Sequence, residues 1–234
     1  MTLLPKVAKQ YHNDFEDVQK EIATVQKLLH KKVAAKPYRR DNVNIDTLMQ
    51  SYHKHYDPIY FGFSKHLKFP EASRIRLLFD LDELGKPKAK TMAINILRTM
   101  ALHGLYDHID GGFFRYSTDA GWEIPHFEKM LYNQAELIPL YAEAYSETKE
   151  LLFKAVVDET VAMTLQRFGK DGLFFSASNA DTDGEEGKYF LFADREIEQA
   201  LKANPYQKNL DAAMEYDGFM NFEGKLHLNF YIPN

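Results

Sequence analysis

Cysteine is absent from this sequence of 234 residues. Its absence excludes disulfide bonds, thiolate zinc sites and any dithiol redox chemistry carried by the chain itself. Long apolar runs are absent as well, since none approaches the roughly 18 residues of a membrane-spanning helix. The N-terminus also lacks the apolar core of a signal peptide. These absences predict a soluble, cytoplasmic protein with no membrane partner.

Three common catalytic or cofactor-binding motifs are also missing. Gly111-Gly112 lacks the later glycines and the Lys-Ser/Thr pair of a phosphate-binding loop. Ser117 does not lie in the Gly-x-Ser-x-Gly setting of a nucleophile elbow. The histidines include no His-x-x-x-His pair on one helix with a third acidic ligand. We therefore expect no metal site and no bound cofactor.

Charge gives no reason to expect a nucleic acid partner. The formal net charge is −5, and the basic residues cluster only between His30 and Arg40. That basic run is interpreted as a solvated linker. Hydrophobic residues make up 45% of the chain and include 17 Phe and 14 Tyr, which is ample for a packed core.

Apolar residues recur at helical spacing along most of the chain, and a helix is predicted wherever the pattern is sustained. Gly85 is predicted to end the third helix, and Pro139 to kink the fifth. A short β-hairpin is predicted within residues 176–192, with Tyr189 to Phe192 as its apolar strand. The six clearest helical segments are residues 15–29, 46–56, 71–84, 87–104, 127–145 and 151–168.

Long aromatic and acidic connectors separate pairs of these helices. Gly172-Leu173-Phe174-Phe175 repeats the pattern of Gly111-Gly112-Phe113-Phe114, which indicates an internal repeat of helical hairpins. Stacked hairpins with functional loops on one rim predict an all-α fold, a partial α/α toroid over residues 41–234. Residues 1–40 are predicted to form an N-terminal helix and a basic linker. The apolar edges of an open arc favour self-association.

Three motifs of this sequence resemble a known family. They are the segment 105–145, the pair Phe61-Gly62-Phe63 and Lys68-Phe69-Pro70, and the acidic block 181–190 followed by 221–225. In this order they are similar to the YyaL-type, thioredoxin-domain-containing proteins. The resemblance implies a thioredoxin-like domain followed by a toroid of the six-hairpin glycosidase type. This sequence contains no such domain and about half of the toroid, and the family has no assigned reaction.

A more distant likeness concerns sugar epimerases of the N-acylglucosamine 2-epimerase kind. It depends on the Gly-Gly-Phe-aromatic loop and on the run from Lys129 to Ala135 that follows it. This is an analogy at the level of the fold, and it gives limited guidance on function.

His126, Lys129 and Asn133 have the spacing of one stripe on the predicted fifth helix. Within a toroid such a stripe faces the central cavity, where His126 can act as general acid or base with Glu128 or Asp119 setting its protonation. Two other interpretations stay open. The stripe is a solvated face, or His126 and Glu128 cap the helix N-terminus.

The connector that precedes this stripe carries groups suited to sugars. Arg115 can grip a carboxylate or a hydroxyl, and Tyr116 or Trp122 can stack on a sugar ring. Alternatively, Arg115 pairs with a nearby aspartate to stiffen the loop, and Trp122 plugs the loop into the core. Asp183, in the acidic block, fits either a carboxylate of glycoside hydrolysis or a simple turn.

These observations predict a cavity that binds or processes carbohydrate, by hydrolysis or epimerisation. A non-catalytic scaffold for a thioredoxin-like domain or protein, or an inactive fragment, are the alternatives. A site requires the loop 115–129 to meet residues 181–186 in one concave pocket. The predicted catalytic residues are His126, Glu128 and Asp183, and the predicted sugar-binding residues are Arg115, Tyr116, Asp119, Trp122, Lys129 and Tyr132.

Overall fold

The computed structural model describes residues 3–29, 44–193, 195–197, 199, 219–222 and 225–228. The chain divides into two compact units, residues 1–44 and 45–234. The first unit contains helix α1 (Leu3–Asn13), which was not predicted, and helix α2 (Phe15–Leu29), which was. The predicted basic linker and the predicted domain boundary at residue 40 lie outside the described residues.

Helices dominate the second unit, and the predicted helical segments are confirmed there apart from the start of the fifth. Helix α7 (Leu151–Met163) is followed by a π-helical turn over Thr164–Phe168. None of the described helices is long and apolar enough to cross a membrane. The five helices are α3 (Ile45–His55), α4 (Ala72–Glu83), α5 (Ala89–Leu102), α6 (Leu131–Thr148) and α7 (Leu151–Met163).

Local chemistry explains where α4 stops. Gly85 has a φ of 75°, a left-handed conformation that a residue without Cβ adopts at little cost. Its N–H donates to the carbonyl of Asp82, and the N–H of Lys86 donates to the carbonyl of Leu81. These two hydrogen bonds form a Schellman motif, so the predicted helix end at Gly85 is confirmed.

Two helical hairpins stack side by side. The turn 84–88 joins α4 to α5, and Lys149-Glu150 joins α6 to α7. Helix α4 packs against α6 and α5 against α7, so equivalent helices of the two hairpins are neighbours. Buried Tyr141 on α6 ties the hairpins together, since its hydroxyl donates to the Leu97 carbonyl at 2.7 Å. The prediction of an all-α partial toroid is confirmed.

Short antiparallel strand pairs lie outside the helices. In the described part of the chain β1 pairs with β2, β3 with β6, β4 with β5, β7 with β8 and β9 with β10. The strands are β1 (Tyr116–Ser117), β2 (Pro125–His126), β3 (Lys129–Met130), β4 (Gly169–Lys170), β5 (Leu173–Phe174), β6 (Ala177–Ser178), β7 (Asp181–Thr182), β8 (Glu185–Glu186), β9 (Phe219–Phe222) and β10 (Lys225–Leu228).

The three long connectors, which follow α3, α5 and α7, meet at one end of the hairpins. Lys68 of the first forms a β-bridge with Ser117 of the second. Strand β3 of the second connector pairs with β6 of the third. The convergence that the sequence predicted is therefore confirmed, and this end is called the rim.

The structure corrects the start of the fifth helix. Strand β3 occupies residues that were predicted to be helical, His126 lies in β2, and α6 begins only at Leu131. The reason is non-local, because β3 gains hydrogen bonds from a strand almost fifty positions later. His126 and Lys129 consequently do not share a helical stripe with Asn133, and that prediction is wrong.

The predicted β-hairpin exists, but its position differs. It forms from β7 and β8 around Asp183-Gly184, both with positive φ, as the tight two-residue turn of a hairpin requires. Tyr189 and Phe190 lie in a turn instead of the predicted strand. Gly172 likewise belongs to the hairpin turn between β4 and β5, and its resemblance to the Gly111-Gly112 loop is one of sequence only.

Candidate ligand site

Two buried ion pairs organise the rim. Asp57 Oδ2 lies 2.7 Å from Lys68 Nζ, and Asp107 Oδ2 lies 2.6 Å from Lys129 Nζ. Each ammonium also donates to a backbone carbonyl, from Lys68 to Phe61 and from Lys129 to Gly111. All four charged side chains are almost fully buried.

The two carboxylates hold their loops in the same way. Asp57 Oδ1 accepts hydrogen bonds from the N–H groups two and three residues later, and Asp107 Oδ1 does the same. The N–H of each aspartate donates to the carbonyl of the glycine five residues later. These loops are structural repeats of one another. The sequence carries the signal, Asp-x-Ile-x-x-Gly-Phe at 57–63 and 107–113, which the sequence analysis missed.

Burial changes the pKa values of the side chains in these two ion pairs. It lowers the pKa of Lys68 and of Lys129, while the carboxylate partner of each works in the opposite direction. Burial alone would raise the pKa of Asp57, but the Lys68 ammonium and two backbone N–H groups outweigh it and lower that pKa. Because Lys129 makes the same contacts as Lys68, its role is to hold the loop, and its predicted role in binding sugar has no support.

The first loop is closed by Trp122. Its ring is fully buried, 5.5 Å from Lys68 Nζ, and its Nε1 donates to the Tyr60 carbonyl at 3.0 Å. A Cβ on Gly62 would lie 2.9 Å from the indole, so the ring fits only against glycine. Trp122 therefore plugs the loop into the core, and the prediction that it stacks on a sugar is wrong.

The second loop, in contrast, borders open space. Lys129 Nζ lies beneath Phe114 and Phe190, at 5.2 and 5.3 Å from the ring centroids. A cavity of about 260 Å³, called the rim cavity, and a neighbouring one of about 210 Å³, called the side cavity, meet at Phe190. The rim cavity is lined by Asp107, His108, Ile109, Asp110, Tyr189, Phe190, Phe192 and His227.

Asp110, Tyr189 and Arg167 form the wall between the two cavities. The Tyr189 hydroxyl donates to Asp110 Oδ2 at 3.2 Å, and Arg167 donates to both partners. The Arg167 guanidinium also lies 5.0 Å from the centre of the Tyr189 ring. Arg167 belongs to the π-helical turn after α7, a feature often found at functional sites. Tyr189 remains 49% exposed.

Two histidines complete the polar part of the rim cavity. His108 Nε2 is 3.1 Å from the His103 carbonyl, and burial lowers the pKa of His108 to about 4. His227 Nε2 is 2.8 Å from the Gly104 carbonyl, and burial lowers the pKa of His227 as well. Both imidazoles are therefore neutral near pH 7.

Several predicted site residues meet in a second cluster on the rim. His126 Nδ1 lies 2.6 Å from Glu186 Oε1, and its Nε2 lies 3.7 Å from Glu128 Oε2. The imidazole stacks on Tyr116 at 5.2 Å. Arg115 Nη1 contacts Glu128 at 3.0 Å, so the partner of Arg115 is a glutamate and the expected pairing with a nearby aspartate is wrong. The loop 115–129 therefore meets residues 181–186 through His126 and Glu186, while the rim cavity is lined by other residues.

The remaining predicted residues lie elsewhere or hold the backbone. Asp183 is at the tip of the β7–β8 hairpin, 76% exposed and 3.3 Å from Lys188. Glu186 is the residue of the acidic block that the structure places beside His126. Asp119 accepts backbone hydrogen bonds that shape its own loop, including one of 2.7 Å from Ile124. Tyr132 is half-exposed and contributes, with Glu128, to the raised pKa of Arg115.

Comparison with known proteins agrees with the sequence motifs. Over 161 residues, 62% of this chain, the sequence is 37% identical to spermatogenesis-associated protein 20 of Mus musculus and of Homo sapiens. This chain is a relative of spermatogenesis-associated protein 20. It spans 20% of the length of each of those two proteins. The predicted resemblance is thereby confirmed.

Two further comparisons extend this result. An uncharacterized protein of Caenorhabditis elegans is 30% identical over 214 residues, which is 86% of this chain and 29% of that protein. No family model matches the chain. Among solved structures, the chain is similar to a cellobiose 2-epimerase from Bacillus thermoamylovorans, with a TM-score of 0.44, 17% identity, and coverage of 61% of this chain and 39% of the other.

Proposed function

We propose that the rim cavity binds a small polyhydroxylated ligand of the carbohydrate class. The observation that carries this proposal is the pairing of a half-exposed Tyr189 ring with the Asp107 and Asp110 carboxylates around one cavity. A sugar ring has apolar C–H faces that pack on aromatic rings, and hydroxyl groups that donate to carboxylates. The cavity, at about 260 Å³, is small for a drug-sized ligand and suits a sugar of one ring.

The groups inside the rim cavity favour binding over acid–base chemistry. Asp107 is paired with Lys129 and Asp110 with Arg167, so both carboxylates are already engaged by cationic side chains. His108, with a pKa of about 4, is a weak base.

A processing step, hydrolysis or epimerisation, is proposed for the neighbouring cluster. There Glu186 accepts from His126 Nδ1–H and orients the imidazole, which leaves Nε2 for proton transfer. Glu128 lies on the Nε2 side of the ring. In this proposal His126 and Glu128 keep their predicted catalytic roles, and Glu186 replaces Asp183.

We expect the Tyr189→Ala variant to bind its sugar at least about tenfold more weakly than the natural protein. The substitution removes both the stacking surface and the hydroxyl partner of Asp110. Isothermal titration of a panel of mono- and disaccharides measures the effect. If turnover of the bound sugar is detected, His126→Ala should abolish it and leave the affinity unchanged.

Tyr11→Ala is the matched control, because Tyr11 is similarly exposed and lies on α1 in the other unit. Its affinity should equal that of the natural protein. Absence of binding by every sugar in the panel, or equal affinity in Tyr189→Ala and Tyr11→Ala, contradicts the proposal.

We also propose a second candidate function, as a module that binds a thioredoxin-like domain or protein. The hairpin of β4 and β5 favours it, because three consecutive apolar residues, Leu173, Phe174 and Phe175, are 75%, 50% and 53% exposed. Successive strand residues point to opposite faces, so both faces of this hairpin are apolar and in contact with water. Exposed apolar patches of this kind mark interaction sites.

Replacing Leu173 and Phe175 together by serine should abolish binding of a thioredoxin-fold protein, measured by sedimentation velocity of mixtures. Leu84→Ser, at an exposed position on the turn after α4, is the control and should bind normally. Concentration-dependent association of this chain alone, lost in the same double variant, would assign the hairpin to self-association. If the chain stays monomeric and does not bind the thioredoxin-fold protein, the proposal of a binding module is contradicted.

A further inference from the structure

We infer that the rim cavity selects ligands that present hydrogen-bond donors, hydroxyl or amine groups, and rejects ligands that present a carboxylate. This inference rests on the proposed sugar-binding function and specifies the chemical class of the sugar. It follows from the arrangement of His227 and of the charged residues around the cavity.

The orientation of His227 fixes which nitrogen carries its hydrogen. Nε2 lies 2.8 Å from the Gly104 carbonyl, and a carbonyl oxygen can only accept, so Nε2 is the donor. A neutral imidazole has one N–H, and therefore Nδ1 presents a lone pair. The tautomer thus makes Nδ1 an acceptor.

That acceptor is buried and has no hydrogen-bond partner among the described residues. His227 is only 3% exposed, yet it lines the rim cavity. The Phe190 carbonyl is near enough to work against the lowered pKa of His227, but it does not complete a hydrogen bond. Buried polar side-chain atoms are nearly always paired, so an unpaired acceptor beside a cavity calls for a donor from the ligand.

The packing around His227 holds this acceptor in place. A Cβ on Gly104 would lie 2.8 Å from the imidazole Cδ2, which shows how closely the ring approaches the backbone. The rings of Phe114 and Phe127 meet it edge-on, with centroids at 5.8 and 5.2 Å. The imidazole cannot turn without displacing these neighbours, so the lone pair keeps its position.

The charged residues that line the rim cavity also favour ligands with hydrogen-bond donors. Asp107 and Asp110 are the charged residues that line the rim cavity, and both are carboxylates. Lys129 and Arg167, which neutralise them, line the side cavity. A hydroxyl or amine entering the rim cavity therefore finds acceptors, whereas a ligand carboxylate finds no cation among the residues that line it, since Lys129 and Arg167 line the side cavity.

The test compares matched sugars on the natural protein and on His227→Gln. Glutamine keeps an amide donor for the Gly104 carbonyl and replaces the ring acceptor Nδ1 by an amide oxygen, so the hydrogen bond to Gly104 is kept and the acceptor is moved from its position on the ring. The probes are glucose, galactose and mannose, each with its uronic acid and its 2-amino form, measured by isothermal titration. We expect each uronic acid to bind at least about tenfold more weakly than its neutral parent, and His227→Gln to weaken the neutral sugars about 3- to 10-fold.

Nitrogen NMR of the His227 ring adds a measurement that requires no ligand. The free protein should show a protonated Nε2 and an unprotonated Nδ1, and addition of the neutral sugar should shift Nδ1. A protonated Nδ1, unchanged affinity in His227→Gln, or a uronic acid that binds as tightly as its parent overturns the inference. Each of these leaves Tyr189-dependent sugar binding intact, whereas failure of all nine sugars to bind overturns the proposed function and the inference together.

Discussion

Replacing Asp57 or Asp107 by alanine is expected to reduce the free energy of unfolding by about 3–5 kcal/mol. Each substitution leaves a lysine ammonium, Lys68 or Lys129, buried without its counter-charge. Each also releases two backbone N–H groups from the same carboxylate. Since a typical domain is stable by only about 5–15 kcal/mol, either loss approaches global unfolding.

Urea denaturation followed by circular dichroism measures these losses, and the repeated geometry supplies an internal comparison. The two alanine variants should lose similar amounts, while Asp46→Ala, which breaks an exposed pair with Lys86, should lose less than about 1 kcal/mol. The double variant Asp57→Ala/Lys68→Met should recover much of the stability, because it removes the uncompensated charge. If either buried variant matches Asp46→Ala, the ion pairs do not organise the rim.

The parts of the fold that the sequence predicts correctly are those that depend on local chemistry. Helix α5 follows from the recurrence of apolar residues such as Met92, Ile96 and Met100, all of them buried. Gly85 ends α4 because one residue in the left-handed conformation suffices. The start of α6 could not be predicted in this way, because β3 is stabilised by pairing with β6, which lies far along the chain.

The same distinction applies to the site. His126 and Glu128 are two residues apart, so their proximity could be predicted. The pairing of Arg115 with Glu128 could not, because it depends on a backbone hydrogen bond between residues thirteen positions apart. The burial of Trp122 depends on Gly62, sixty residues earlier, and no local pattern reveals it. The rim cavity joins residues from three separate segments of the chain, so sequence reasoning had no periodicity from which to find it.

Acidification from pH 6.5 to pH 4 is expected to destabilise the protein by about 3 kcal/mol through His108 alone, since each pH unit contributes about 1.4 kcal/mol. Burial lowers the pKa of His108 from 6.5 to about 4 in the folded state. Between these values the unfolded chain binds more protons than the folded protein, so stability falls as the pH falls. Above pH 6.5 the imidazole is neutral in both the folded and the unfolded state, so His108 no longer makes the stability depend on pH.

Other titratable groups change the size of this loss of stability on acidification but not its direction. Burial also lowers the pKa of His103 and of His227, which adds to the loss, whereas burial raises the pKa of Glu71, which opposes it. The lowered pKa of Asp57 contributes stability that is lost only at lower pH, because the ordinary pKa of an aspartate is already about 3.9.

The His108→Gln variant isolates the titration of this one group. The glutamine amide can still donate to the His103 carbonyl, so the variant keeps the hydrogen bond and removes the ionisable ring. Urea denaturation at intervals between pH 4 and pH 7 should give a shallower dependence on pH in the variant, by about 3 kcal/mol over the whole range. Parallel profiles for the two proteins would mean that His108 is solvated, and the rim around the cavity would then be more open than its burial indicates.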